Sequence, residues 1–137
     1  MKIVICASMS AARRVAEIAI ELENLGHKPV IPRNIEKYAS GVLAMEDPHE
    51  SMQNKIEGNL IRGYFEEIKK CDAVLTVNED KNGIKNYIGG NTFLEMGFAH
   101  VLGKKNFILN DIPEISYKAE ILAMQPIVIG GDLARIK

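Results

Sequence analysis

The chain has 137 residues, 47% of them hydrophobic and 26% charged, which predicts one folded domain over residues 1–137 and argues against a disordered chain. With 17 basic and 18 acidic residues, the net charge is −1. This balance disfavours a nucleic-acid polymer as partner, because such binding relies on an excess of positive charge. Neither cysteine, Cys6 nor Cys71, belongs to a CxxC or Cys/His cluster, so we expect buried thiols in a reducing cytoplasm and no metal site.

Five short, β-branched segments are nearly continuous in apolar residues, which is typical of strands buried on both faces. The first follows Met1 almost directly and is too short for the apolar core of a signal peptide. No apolar run approaches the roughly 18 residues of a membrane helix, so no membrane partner is expected. The predicted strands span residues 3–7, 29–32, 73–77, 106–109 and 126–129.

Segments with helical periodicity lie between these strands. In the first, Val15, Ile18, Ala19, Leu22 and Leu25 share one face, and Gly26 is suited to end the helix. The others are predicted at about residues 48–70, 92–102 and 117–123. The stretch 34–47 has no such pattern and is expected to be a surface loop or lid.

This alternation predicts an α/β fold: a three-layer sandwich around a five-stranded parallel sheet of order 2-1-3-4-5, which is flavodoxin- or Rossmann-like. In such sheets ligands bind above the carboxyl ends of the strands, where the strand order reverses. Here that point lies between the first and third strands. The site residues should therefore come from segments 7–10, 78–91 and 110–116.

The turn after the first strand contains Ser8, Met9 and Ser10, just where a helix is predicted to begin. Hydroxyl groups and free backbone amides at a helix start can hold an anion such as a phosphate. The alternative is that Ser8 or Ser10 only caps the helix. The turn lacks the glycines of a Walker or dinucleotide loop.

A second candidate segment contains Gly89, Gly90, Asn91 and Thr92, followed by Glu95 in what we predict to be the first turn of an apolar helix. Few polar positions surround Glu95, so its carboxylate is expected to face a cavity. An anion there would be stabilised by the helix dipole, which suits a nucleophile. The alternative is a capping box, in which Glu95 reaches back to the amide of Asn91 or Thr92.

These segments together resemble the nucleoside 2-deoxyribosyltransferase family, including its 2′-deoxynucleoside 5′-phosphate N-hydrolase branch. The resemblance lies in the serine-containing turn, in a third strand opened by Cys71-Asp72-Ala73, in Thr92-Phe93-Leu94-Glu95-Met96-Gly97-Phe98-Ala99, and in the Gly103-Lys104 turn. Only the stretch 71–110 is specific. The chain departs from the family pattern at Asn91, where the family has glycine before threonine.

The resemblance implies a function and assigns roles to residues. Glu95 would attack the anomeric carbon of a nucleoside or nucleoside 5′-monophosphate and form a glycosyl ester, which water or a second base would release. Asp80, or next Glu79, would protonate the leaving base. Asn78 would bind the sugar or the base, and the Ser8–Ser10 turn would receive the 5′ group.

The residues also allow a non-catalytic nucleotide-binding or sensing module, in which Glu95 holds ribose hydroxyls without attacking. The enzyme is favoured because an acid in the loop and a carboxylate on the helix occur together. This chemistry needs no metal or other cofactor, and the partner would be a small nucleoside or nucleotide. The family resemblance further implies a homo-oligomer.

Overall fold

The computed structural model describes residues 1–31 and 60–137. Along the chain, these residues form strands and helices in alternation. They are β1 (Lys2–Ala7), α1 (Ala12–Asn24), β2 (Lys28–Val30), α2 (Leu60–Lys69), β3 (Ala73–Val77), α3 (Gly90–Val101), β4 (Lys105–Ile108), α4 (Lys118–Ala123) and β5 (Ile127–Val128). Short 3-10 helices span Met9–Ala11 and Leu133–Arg135.

The strands form one five-stranded parallel sheet of order β2-β1-β3-β4-β5. This confirms the predicted fold class and strand order. The β1–β3 pair is the longest, with Ile3 opposite Ala73 and Ala7 opposite Val77. The order reverses at these two strands, so their carboxyl ends border the crevice expected of a doubly wound sheet.

Side chains alternate across the sheet and create a separate apolar core on each face. On one face, Ile5 and Leu75 pack with α1 and the C-terminal 3-10 helix. On the other, Val4 and Val74 pack with Ile68 of α2 and Ala99 of α3, and Ile108 packs with Ile121 of α4. The sheet is therefore covered on both faces, which gives the three layers.

The predicted boundaries agree with the structure for the central strand β3 and differ by a few residues at the ends of some helices. Strand β3 matches its prediction, whereas α3 begins at Gly90, two residues before the predicted start. Leu25 was expected on the buried face of α1 but lies beyond the helix end and is exposed. The predicted helix over 48–59 and the loop 34–47 lie outside the described residues. No helix among those described is long and apolar enough to cross a membrane.

Candidate active site

Glu95 lies on α3 and faces the sheet. Only 6% of its surface is exposed, and the other buried residues of α3 are uncharged. The adjacent strand residue is Cys6, the penultimate residue of β1, which is completely buried. The thiol of Cys6 lies 3.9 Å from the Val4 carbonyl, to which it donates. Burial raises the pKa of this thiol, which is close enough to the Glu95 carboxylate for that charge to raise the pKa further. Glu95 is therefore held near the carboxyl end of β1, at the crevice.

The side chain of Asn91 donates to Glu95, with its Nδ2 3.1 Å from Oε1 of Glu95. Because these residues are four apart on the helix, they share a face. The capping-box alternative is wrong: the helix begins at Gly90 and its N-cap is Gly89, which has no side chain. Glu95 is thus the sixth helical residue, not a first-turn residue as predicted.

The Cys6 thiol stays protonated in this environment. Burial is the main cause of a pKa raised well above its ordinary value, and the negative charge and hydrogen bond of Glu95 add to it. A neutral thiol can donate a hydrogen bond but is a poor nucleophile. Cys6 is therefore a neutral neighbour of the Glu95 carboxylate.

Ser8 and Ser10 lie close together in the turn after β1. Ser8 is the N-cap of the 3-10 helix, and its Oγ accepts from the backbone amide of Ser10 at 3.4 Å. The two hydroxyl oxygens are 3.0 Å apart. Met9 between them is half-buried and packs against the core around α1. The capping role thus occurs, and the hydroxyl pair still faces the crevice side of the sheet.

Lys81 is a residue of this site that the sequence does not reveal. It belongs to the loop between β3 and α3, and its Nζ donates to Oγ of Ser8 at 2.8 Å. The ammonium also lies 5.9 Å from the centre of the Tyr87 ring, within the range of a cation–π contact. The two loops that follow β1 and β3 therefore meet, and they place a positive charge beside two hydroxyls.

Asp80 is exposed, and its Oδ1 accepts from the backbone amide of Asn86 at 2.8 Å. This bond closes the loop on itself. Its second carboxyl oxygen has no hydrogen-bond partner among residues 1–31 and 60–137. Glu79, the other predicted acid, is exposed as well.

Asn78 is fully buried and joins the ends of β3 and β4. Its Nδ2 donates to the carbonyls of Asn110 and Asp111 at 3.2 and 3.0 Å, and its Oδ1 accepts from the Asn110 amide at 2.9 Å. In return, the Asn110 side chain donates to the Asn78 carbonyl at 3.1 Å. Both donors of the Asn78 amide are thus engaged within the protein, which makes this residue a structural clamp beside the site.

The predicted segment before Glu95 forms the start of α3. Gly89 has extended backbone, and a side chain there would come within 3.3 Å of the Tyr87 ring. Gly90 is exposed and Thr92 is buried. Of these residues, Asn91 is the one that reaches Glu95 through a side-chain hydrogen bond.

Another buried polar group lies on the same face as Glu95. Thr76 is paired with Cys6 in the β1–β3 register and is completely buried, and its hydroxyl has no hydrogen-bond partner in the described part of the chain. No cluster of three or more His, Cys, Asp and Glu side chains within that part could hold a metal ion. In the described part of the chain, a thiol and an amide thus adjoin Glu95, and the Thr76 hydroxyl lies on the same face of the sheet as that thiol.

Comparisons with known proteins identify the fold. No family model and no curated protein matches the sequence. Among solved structures, the chain is similar to the Clostridium botulinum CMP N-glycosidase BcmB, with a TM-score of 0.53 over 93% of this chain and 85% of that one. The chain shares the fold of this glycosidase. At 16% sequence identity the likeness shows a shared fold, and not a shared family or activity.

Proposed function

We propose that the protein cleaves the N-glycosidic bond of a nucleoside or a nucleoside 5′-monophosphate, with Glu95 as the nucleophile. The observation that carries this proposal is the buried Glu95 carboxylate at the crevice, which accepts from Asn91 and lies beside the neutral Cys6 thiol. A buried carboxylate with oriented donors is pre-positioned for attack. The fold shared with a CMP N-glycosidase supports the same reaction class.

In the proposed reaction, one carboxylate oxygen of Glu95 bonds to the anomeric carbon while the bond from that carbon to the base nitrogen breaks. The electron pair of that bond leaves with the base, which takes up a proton. The resulting glycosyl ester is then attacked at the same carbon by water, which gives the free sugar, or by a second base, which gives a new nucleoside. Each attack inverts the carbon once, so the overall configuration is retained.

Asp80 is the proposed proton donor to the leaving base. Its second carboxyl oxygen is available for this role, while the first holds the loop. Replacement by asparagine preserves an acceptor for the Asn86 amide and removes the acid. If Asp80 is the donor, Asp80→Asn lowers the rate for poor leaving bases by about 10² or more and has a smaller effect on good ones.

Base release from a panel of ribo- and deoxyribonucleosides and their 5′-monophosphates, with and without an acceptor base, tests the proposal. We expect Glu95→Gln to lower kcat by at least about 10³-fold, because the neutral amide is too weak a nucleophile to form the ester. Trapping of a sugar on Glu95, detected by mass spectrometry after acid quench, would identify the attacked atom.

Glu114→Gln is a suitable control, because Glu114 is exposed and pairs with Lys118 on the surface. Turnover that survives Glu95→Gln at the wild-type rate would eliminate Glu95 as nucleophile. If no member of the panel loses its base but one nucleotide raises the unfolding temperature, the protein is a nucleotide-binding module on the same fold.

A further inference from the structure

The loop between β3 and α3 has a backbone built around the position of Lys81. Lys81 and Ile84 exchange backbone hydrogen bonds of 3.1 and 2.9 Å around Asn82 and Gly83. Both central residues have positive φ, 53° and 74°, as a two-residue type I′ turn requires. The bond from the Asn86 amide to Asp80 closes the base of this hairpin. The backbone of Lys81 is therefore fixed by contacts that do not involve its side chain.

The ammonium of Lys81 has no carboxylate within 4 Å among the described residues, although acidic residues are close in sequence. Asp80 is engaged with the Asn86 amide, and the polar contact of Lys81 is the neutral hydroxyl of Ser8. An ammonium has three donor hydrogens, and Ser8 uses one. With Ser10 3.0 Å from Ser8, three groups able to donate to an oxyanion lie together, and the cation gives the cluster a net positive charge.

The cluster and the proposed nucleophile lie at the same end of β1. Ser8 follows Cys6 by two residues in extended backbone, so the backbone positions of the two residues are about 6.6 Å apart, and alternate residues of an extended chain point to the same side. The Cys6 thiol interacts with the Glu95 carboxylate, and Ser8 contacts Lys81. A sugar whose anomeric carbon faces Glu95 would therefore direct its 5′ substituent toward Lys81.

We infer that Lys81 is a specificity-determining residue that selects nucleoside 5′-monophosphates over free nucleosides by pairing its ammonium with the 5′-phosphate beside Ser8 and Ser10. The inference rests on the proposed function for the orientation of the sugar. A phosphate dianion would provide the counter-charge that the ammonium lacks, through charge-assisted hydrogen bonds. A nucleoside hydroxyl provides no charge, so it leaves the cation in the site unpaired.

Binding of ribose 5-phosphate, compared with ribose, tests this inference without requiring turnover. Calorimetry on the wild type, Lys81→Gln, Lys81→Arg and Lys85→Gln gives the comparison. Lys85 is the matched control, since it is an exposed lysine of the same loop. We expect Lys81→Gln to raise the Kd of ribose 5-phosphate at least tenfold, Lys81→Arg to restore part of the affinity, and Lys85→Gln to leave it unchanged.

Failure of the inference and failure of the proposed function give different results. If Lys81→Gln and Lys85→Gln weaken the binding of ribose 5-phosphate equally, Lys81 is not the selective residue. The same holds if the wild type binds ribose 5-phosphate no better than ribose. If Glu95→Gln still binds ribose 5-phosphate in a Lys81-dependent way while the wild type releases no base, the inference stands and the glycosidase does not. If base release occurs with equal kcat/KM for monophosphates and nucleosides, the proposed glycosidase function stands and the inference about Lys81 does not.

Discussion

Thr76 carries a buried hydroxyl whose hydrogen-bonding capacity is not used by the described residues. It lies beside Cys6 in the sheet, on the face toward α3. Cys6 in turn interacts with Glu95, the carboxylate that the sequence predicts to be buried. Its threonine side chain is ordinary for a buried strand, so nothing in the sequence marks it. An unpaired buried hydroxyl costs about 1–3 kcal/mol, which makes Thr76 a position where stability is reduced close to the site.

We therefore expect Thr76→Val to leave the free energy of unfolding unchanged or to raise it by up to about 1 kcal/mol. Urea unfolding followed by circular dichroism measures this change. Thr76→Ser is the control, because it keeps the hydroxyl and removes the methyl group, and it should destabilise by about 1 kcal/mol. A loss of more than about 1 kcal/mol in Thr76→Val would mean that the hydroxyl has a partner, such as a bound water.

At the scale of elements, the site depends on how β3 connects to its neighbours. Asn78 links the end of β3 to the chain after β4, and Lys81 links the loop after β3 to the turn after β1. The first contact fixes where the loop leaves the sheet, and the second holds the first part of the loop against the turn after β1. Of these two contacts, the first is structural and the second has a candidate function.

Loss of the Asn78 clamp is expected to destabilise the protein. Asn78→Ala removes three side-chain hydrogen bonds and leaves the Asn110 amide and two carbonyls without these partners, which should cost about 2–4 kcal/mol. Asn110→Ala removes only the bond to the Asn78 carbonyl and should cost about 1 kcal/mol. Chemical denaturation of both variants measures the difference. Equal losses would show that the Asn78 side chain contributes little beyond its backbone.

The sequence was sufficient for β3 and for the strand order, because continuous apolar runs and strand–helix alternation restrict a parallel sheet to few arrangements. It was not sufficient for the start of α3. Capping preferences favour Asn91 or Thr92 at a helix start, but the helix begins at Gly90 and the Asn91 side chain is used by Glu95. Lys81 could not be found either, since its partner Ser8 is 73 residues away in the chain.

On the scale of the whole molecule, the amino terminus contacts His27, the residue that precedes β2. The terminal ammonium of Met1 lies 3.0 Å from Nδ1 of His27, a contact that requires a neutral imidazole. Burial is the main cause of a lowered His27 pKa, and the terminal charge adds to it. His27 is half-buried.

This contact should make stability depend on pH. The His27 pKa is lowered in the folded state from about 6.5, so the unfolded chain binds the proton more readily. Stability should therefore fall as pH decreases below about 6.5. Unfolding temperatures between pH 7.5 and 5.5, for protein whose chain begins at Met1 with a free amino group, should fall less steeply in His27→Gln than in the wild type. His100→Gln controls for the loss of an exposed imidazole, and equal slopes in His27→Gln and the wild type would refute the assignment.

The homo-oligomer expected from the resemblance stays a prediction. Phe93 is stacked on Tyr117 and Phe98 packs edge-on against Phe65, so both rings are used within the chain. Leu94 and Val101 on the same helix are 46% and 84% exposed.

The contact between Lys81 and Ser8 also has a consequence for folding. It joins two segments that become neighbours only after β1 and β3 have paired, with paired residues 70 positions apart in the sequence, and such non-local pairing is slow to form. An anion held by both segments would bind only chains in which the centre of the sheet is complete. Such a ligand would therefore shift the unfolding equilibrium of the entire domain rather than order one loop, and its concentration would set the denaturation midpoint.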